Sequence, residues 1–251
     1  MICQLSYKNT QLCFDTDIYY HISFGLQHGS LNPQCFYLPQ PVFTPFVAGE
    51  FIGSTDQGGN CNCYTLTMSP HGNGTHTECI GHIISGYTIH QCLRTLIMKA
   101  TLISVTPELN DNKDYIITKQ QISQLLPNGE REALIIRTLP NGPDKSLRQY
   151  SGTNPPYFSP DALEYCVEHA INHILVDLPS VDREEDGGRL AAHKAFWNYP
   201  TNPRLNATIT ELIYVDNSIP DGEYILMHNI APLESDASPS RPIIFPLMKE
   251  F

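Results

Sequence analysis

Apolar residues recur along this chain in short blocks bounded by proline, glycine and asparagine, with no repeat period, low-complexity tract or heptad seam. Residues 61–68 alternate Cys, Cys, Thr, Thr against Asn, Tyr, Leu, Met, the period of a strand. Further apolar or β-branched runs fall at 83–84, 96–98 and 100–105. Residues 123–126, after the polar Lys119, Gln120 and Gln121, are expected to begin or belong to a short helix. Residues 133–138 form an apolar run that reads as a buried strand, closed by Pro140 and Pro143. Ser159, Pro160 and Asp161 then supply an N-cap, a proline at the first helical position and a first-turn acid, for a helix reaching about residue 170. Residues 173–178 make a second apolar strand, ended by Pro179, so strand, helix and strand form a βαβ-like unit whose strands belong in the middle of a sheet. Another helix is expected at 190–197, and late strands at 209–215 and 224–227 flank a turn at Pro220, Asp221 and Gly222. Residues 27–60, rich in proline and aromatics such as Phe36, Tyr37, Phe43 and Phe46, read as a long ordered loop of the kind that often covers a site. The pattern predicts a single α/β domain over residues 1–251 with a mixed sheet.

Composition narrows the class. Apolar residues are 41% and charged residues 16% of the 251 positions, enough for a large core and contrary to global disorder. Fifteen Lys and Arg against 26 Asp and Glu give a net charge of −11, which repels phosphate backbones and anionic bilayers. No nucleic-acid or membrane partner is expected. No apolar run approaches the roughly 20 residues that span a bilayer, and residues 1–5 lack a secretory pattern, so a cytoplasmic location is expected. The eight scattered cysteines then read as mostly buried, reduced thiols. Cys61 and Cys63 are too close for the usual zinc pair and have no second pair, so they are assigned to core packing.

Of ten histidines, His21, His28, His90, His169, His173 and His228 stand among unrelated neighbours and read as structural. The dense stretch is His71-Gly-Asn-Gly-Thr-His76-Thr-Glu78-Cys-Ile-Gly-His82. In extended chain His76 and Glu78, two apart, face one side, and imidazole with carboxylate suits zinc, manganese or iron. Gly72, Gly74 and Gly81 permit the sharp turns a metal site needs, and His82 is near enough to line the same pocket.

The stretch from Gly74-Thr75-His76 through Glu78 to His82 resembles the Gly-Thr-His-x-Asp-x-x-x-His signature of the cyclase family of metal-dependent hydrolases, which includes bacterial kynurenine formamidases and isatin hydrolases. Arg137-Thr138, Tyr157 to Ala162, Asp177-x-x-Ser180-x-Asp182 and Glu211 are similar to later family segments, in the same order. The resemblance implies a barrel-like mixed β-sheet packed against helices, of the swivelling β/β/α type. It implies metal ligands at His76, Glu78, His193 and Glu211, with His82 as general acid/base. Zinc is the first expectation and manganese the second, with one or two ions bound. The implied activity is hydrolysis of a small amide, as by an arylformamidase of tryptophan catabolism acting on N-formylkynurenine, or of a cyclic amide. A homodimer is implied too. The alternative is a family member that binds metal or a small metabolite without turnover.

Two positions depart from the signature. The family's first His ligand falls at Gly72, and His71, one residue away, would point to the opposite face of an extended segment. Glu78 replaces Asp and is one methylene longer. The expectation is therefore a single ion.

Overall fold

A computed structural model describes residues 1–248; the last three positions of the expected 1–251 span lie outside the described residues. Nine strands build the principal sheet: β1 (Tyr20–His21), β2 (His76–Glu78), β3 (Ile97–Val105), β4 (Ala133–Thr138), β5 (His173–Val176), β6 (Thr208–Glu211), β7 (Gly222–Met227), β8 (Ala237–Pro239) and β9 (Ile243–Pro246). They lie in the order β8-β2-β6-β5-β4-β3-β7-β9-β1 and curl into half a barrel. Strands β6, β5, β4 and β3 are mutually parallel, and the remaining pairings are antiparallel. This is the mixed α/β sheet that the pattern and the resemblance imply.

Both faces of β4 and β5 are covered, which is why Ala133–Ile136 and Ile174–Val176 are apolar without alternation. All six residues of β4 are buried. Leu134 and Ile136, with Ile174, Val176 and Ile209, pack against the helical layer. Ala133, Ile135 and Leu175 face the other way, into a core shared with Met98, Leu102, Leu226 and Ile244. Five helices are present among the described residues: α1 (Pro70–Asn73), α2 (Ile89–Cys92), α3 (Lys119–Leu125), α4 (Pro160–Glu168) and α5 (Ala191–Phe196). The last three supply Ile122, Leu163, Cys166 and Phe196 to the helical side of the core.

Several boundaries differ from the sequence reading, each for a local reason. Runs 96–98 and 100–105 are one strand, because Lys99 stays in β3 by pairing with Glu223 on neighbouring β7 at 2.8 Å. Residues 123–125 belong to helix α3, which starts earlier, at Lys119, because Thr118 and Gln121 close a capping box. Ser159 makes no side-chain cap for α4, and that helix stops at Glu168, before Ala170 turns the chain with φ 57°. The strand expected at 209–215 breaks after Glu211, where Leu212 takes φ 54°. Cys61 and Cys63 are exposed, contrary to a core role; the adjoining strand Tyr64–Thr67 pairs only with Val42–Pro45 in a two-stranded ribbon that has no core beneath it. Cys35, Cys79, Cys92 and Cys166 are buried, and all eight thiols are free. The loop expected over 27–60 holds that ribbon strand and a second small hairpin, Val47–Ala48 against Phe51–Ile52. No helix among the described residues is long and apolar enough to cross a membrane.

Beneath β2, the hydroxyls of Thr77 and Thr210 lie 2.9 and 3.0 Å from Nε2 of the fully buried His228. Burial, with a contribution from His173, pushes the His228 pKa down to about 3. Both values that matter for folding follow: the unfolded chain takes up this proton near pH 6.5 and the folded one far lower. Stability is thus present above pH 6.5 and drains as the pH falls toward 3. In urea titrations, His228→Asn is expected to flatten the slope of unfolding free energy between pH 6 and 4 by about 1.4 kcal/mol per pH unit. Equal slopes in the two proteins would contradict the assignment.

Candidate metal centre

Strand β2 is wedged between β6 and β8, and this register assembles the site. His76 stands opposite Glu211, and Glu78 opposite Ile209. The two-residue period puts His76 and Glu78 on one face, which Glu211 joins from the next strand. His76 Nε2 is 3.3 Å from Glu211 Oε2, and both side chains are buried.

His193 arrives from helix α5. The Asp182 carboxylate pins the start of that helix, accepting from Ala192 N at 2.8 Å and His193 N at 3.1 Å. It also holds His193 Nδ1 at 2.6 Å, which aims Nε2 at Glu78 Oε1, 2.9 Å away. The segment carrying Asp182 is itself anchored. Asp177 accepts from the backbone and hydroxyl of Thr138 and from the buried ammonium of Lys145. Val181 N donates to Glu211 Oε1 at 3.0 Å. His76, Glu78, His193 and Glu211 therefore converge, as the sequence reading requires.

His71 joins them, which the sequence reading did not expect. Residues 70–73 are a helical turn led by Pro70, not an extended strand, so alternation of faces does not apply. His71 Nδ1 is 3.4 Å from Glu78 Oε2, and Nε2 is 2.8 Å from Asp236 Oδ2. Position 72 has no room for a side chain, since an added Cβ would stand 2.6 Å from Leu38 Cβ. The imidazole has thus moved one residue back along the chain. Asn73 turns away, its amide bonding Pro39 O and Ser69 N. The longer Glu78 side chain reaches both ways, with one oxygen toward His193 and the other toward His71.

His82 ends a 3₁₀ turn, Ile80–His82, and remains partly exposed at the mouth. Its Nδ1 is 3.2 Å from Asp236 Oδ2 and 3.8 Å from Glu78 Oε2. A cavity of about 170 Å³ opens above the cluster, lined among others by Phe36, His71, His82, Ser180, Arg183 and His193. Asp236 has no motif to announce it; only the pairing of β8 with β2 brings it here. Asp182 was visible within Asp-x-x-Ser-x-Asp, but without a role.

The hydrogen bonds fix the proton positions. His76 Nδ1 donates to Gly74 O at 3.0 Å, which leaves a lone pair on Nε2 facing a carboxylate. His76 Nε2 and Glu78 Oε2 are buried with no hydrogen-bond partner. A lone pair held against a carboxylate oxygen out of water is repulsive unless a proton or cation lies between them. Burial opposes charge on His71, yet its hydrogen bond to Asp236 and the neighbouring Glu78 carboxylate prevail and carry its pKa up to about 10. His193 is likewise raised against burial, by Glu78 and Asp182. Burial favours the neutral form of Glu78, but the His193 and His82 imidazoles hold its pKa well below the carboxylate range. The cluster is a trap for positive charge.

Its dimensions suit a metal. Donors about 2.1 Å from a tetrahedral ion stand roughly 3.4 Å from one another, close to the 3.3 and 3.4 Å separations of His76 from Glu211 and His71 from Glu78. The donor atoms of His71, His76 and Glu78 lie within 4.8 Å of one another, as do those of Glu78, His82 and His193.

Fold and cluster together define an α/β half-barrel built around a buried histidine–carboxylate centre fit for divalent cations. Residues 13–183 match the family model described as putative cyclase, and the chain belongs to that cyclase family. It is 29% identical over 210 residues to a kynurenine formamidase of Bacillus cereus, covering 82% of this chain and 90% of the relative. A predicted metal-dependent hydrolase from Bacillus stearothermophilus superposes with a TM-score of 0.65 at 20% identity, over 90% of this chain and 97% of the other. Isatin hydrolase A from Labrenzia aggregata superposes with a TM-score of 0.66 at 15% identity, over 90% and 93% of the two chains. These two likenesses are of fold.

Proposed function

We propose that this chain is a divalent-metal-dependent amidohydrolase for a small amide, with an aryl formamide such as N-formylkynurenine as the reference substrate and an isatin-like cyclic amide next. One observation carries the reading: three imidazoles, those of His76 and His193 buried and that of His71 at the rim, are each tied by one nitrogen to an acceptor and turn the other toward a carboxylate. The names of the relatives in the same family support amide hydrolysis. Phe36 in the cavity wall supports an aryl substituent.

His71, His76 and Glu78 lie close enough to form one ligand group, and Glu78 and His193, with Glu211 Oε1 3.9 Å from His193 Nε2, are read as a second that shares its carboxylate. We read this donor set as serving two ions, since the placement of His71 supplies the ligand that Gly72 lacks. Zinc is the first candidate and manganese the second. A bound divalent cation acidifies water and polarises a carbonyl.

The chain does the rest. His82, its Nδ1 held by Asp236, presents Nε2 to the cavity, where it takes the proton from the attacking water and delivers it to the departing nitrogen. Asp182 and the Gly74 carbonyl keep their histidines in one tautomer through the cycle.

The test is turnover by protein loaded with zinc or manganese, measured as formate release from N-formylkynurenine and ring opening of isatin. Metal-dependent hydrolysis of either, or of a related amide, is expected. Stoichiometric metal with no turnover across amides, lactams and esters would replace this reading with that of a binding protein.

A further inference from the structure

We propose that Asp236 is a positioning residue, whose single carboxylate oxygen orients His71 and His82 together and fits the displaced His71 to the metal centre. The inference rests on the metal reading above. Three histidines face the buried carboxylates, and each is held by its other ring nitrogen. His76 is held by the Gly74 carbonyl and His193 by Asp182. For His71 the holder is Asp236, at 2.8 Å from Nε2. His71 needs one more than the others do, because it sits on a short helical turn at the rim, with 21% of its side chain exposed.

The same oxygen, Oδ2, lies 3.2 Å from His82 Nδ1. A carboxylate can only accept, so both imidazoles donate to it. With a cation in place of its Nδ1 proton, His71 would keep its proton on Nε2 and offer Nδ1 to the ion beside Glu78. His82 carries its proton on Nδ1 and turns Nε2 to the cavity. One side chain thus sets the tautomer of a ligand and of the proposed acid/base. Asp236 is itself held rigidly. Its carbonyl accepts from Cys79 N at 3.0 Å, and Ser235 Oγ donates to its Oδ1 at 3.0 Å. The next residue, Ala237, pairs with Glu78. Asp236 and the Glu78 carboxylate that His71 faces are therefore positioned by the same strand pairing. An outer carboxylate behind a ligating imidazole is worth about 10–100-fold in metal affinity or activity.

The experiment is zinc affinity by competition with a chromophoric chelator for wild type, Asp236→Ala, Asp236→Asn, His71→Ala and the Asp236→Ala/His71→Ala double variant. Asp236→Ala is expected to weaken one of two zinc ions by about 10–100-fold and leave the other unchanged. Asp236→Asn, which keeps an acceptor oxygen without the charge, falls between alanine and wild type. The double variant loses no more than His71→Ala alone, which a general loss of structure would not produce. Two ions bound by Asp236→Ala with wild-type affinity, or additive losses in the double variant, overturn the proposal while the metal reading stands. A wild-type chain that takes up no zinc overturns both.

Discussion

Alanine in place of Glu78 is expected to remove both ions and to lower amide turnover by at least about 10³-fold, the several kcal/mol that a metal contributes to a hydrolytic transition state. Glu78 is the fully buried carboxylate that faces His71 with one oxygen and His193 with the other. Its oxygens stand 2.9 Å from His193 and 3.4 Å from His71, and the side chain is fully buried. Water cannot substitute for its charge, so each half loses an anionic donor at once. The loss should exceed the effect of any outer partner, which is about 10–100-fold. Metal analysis and formate release on the variant, with circular dichroism to verify its fold, decide the matter. A folded Glu78→Ala protein that keeps its metal and more than about a tenth of its turnover would falsify the bridging role.

His82→Ala separates proton transfer from metal binding. The variant is expected to hold its ions, because His71, His76, His193 and both glutamates are untouched. Its kcat should fall by about 10²–10⁴-fold, the range for a lost general acid/base, with KM changing far less. Asp236 keeps its bond to His71 in this variant, so the ligand stays oriented. Wild-type turnover by a metal-replete His82→Ala protein would sink the assignment, and loss of metal would make His82 a ligand instead.

The parts of the fold that were legible in the sequence are those governed by local period. Residues 133–138 are apolar at each of their first four positions, so the strand was visible regardless of which face was core. The spacing of His76 and Glu78 placed them on one face of a strand, and β2 is that strand. His193 and Glu211 carried no such signal. A histidine on a short helix and a glutamate at a strand end look ordinary until Asp182 and the β2–β6 register bring them in, and only the family resemblance pointed to them. An extended segment would aim His71 away from His76 and Glu78, whereas residues 70–73 form a helical turn that brings it in. Pro70 following Ser69 is a helix-start signal, and weighing it would have released His71 from the alternation rule. Asp236 was not legible at all, because the three-residue strand that follows it has no pattern and its partner lies far away in sequence. Cys61 and Cys63 show the converse error. Alternation was real, but a two-stranded ribbon gives its inward face nothing to pack on.

The central claim is that this histidine–carboxylate cluster is a metal centre. Its most direct test is metal content per chain by inductively coupled plasma mass spectrometry, on protein purified without added metal and again after zinc incubation and desalting. A His76→Ala/Glu211→Ala variant is measured beside it. Two ions per wild-type chain, and none in the variant, is the predicted result. Wild-type protein free of metal even after incubation, or a variant as full as the wild type, would contradict the account.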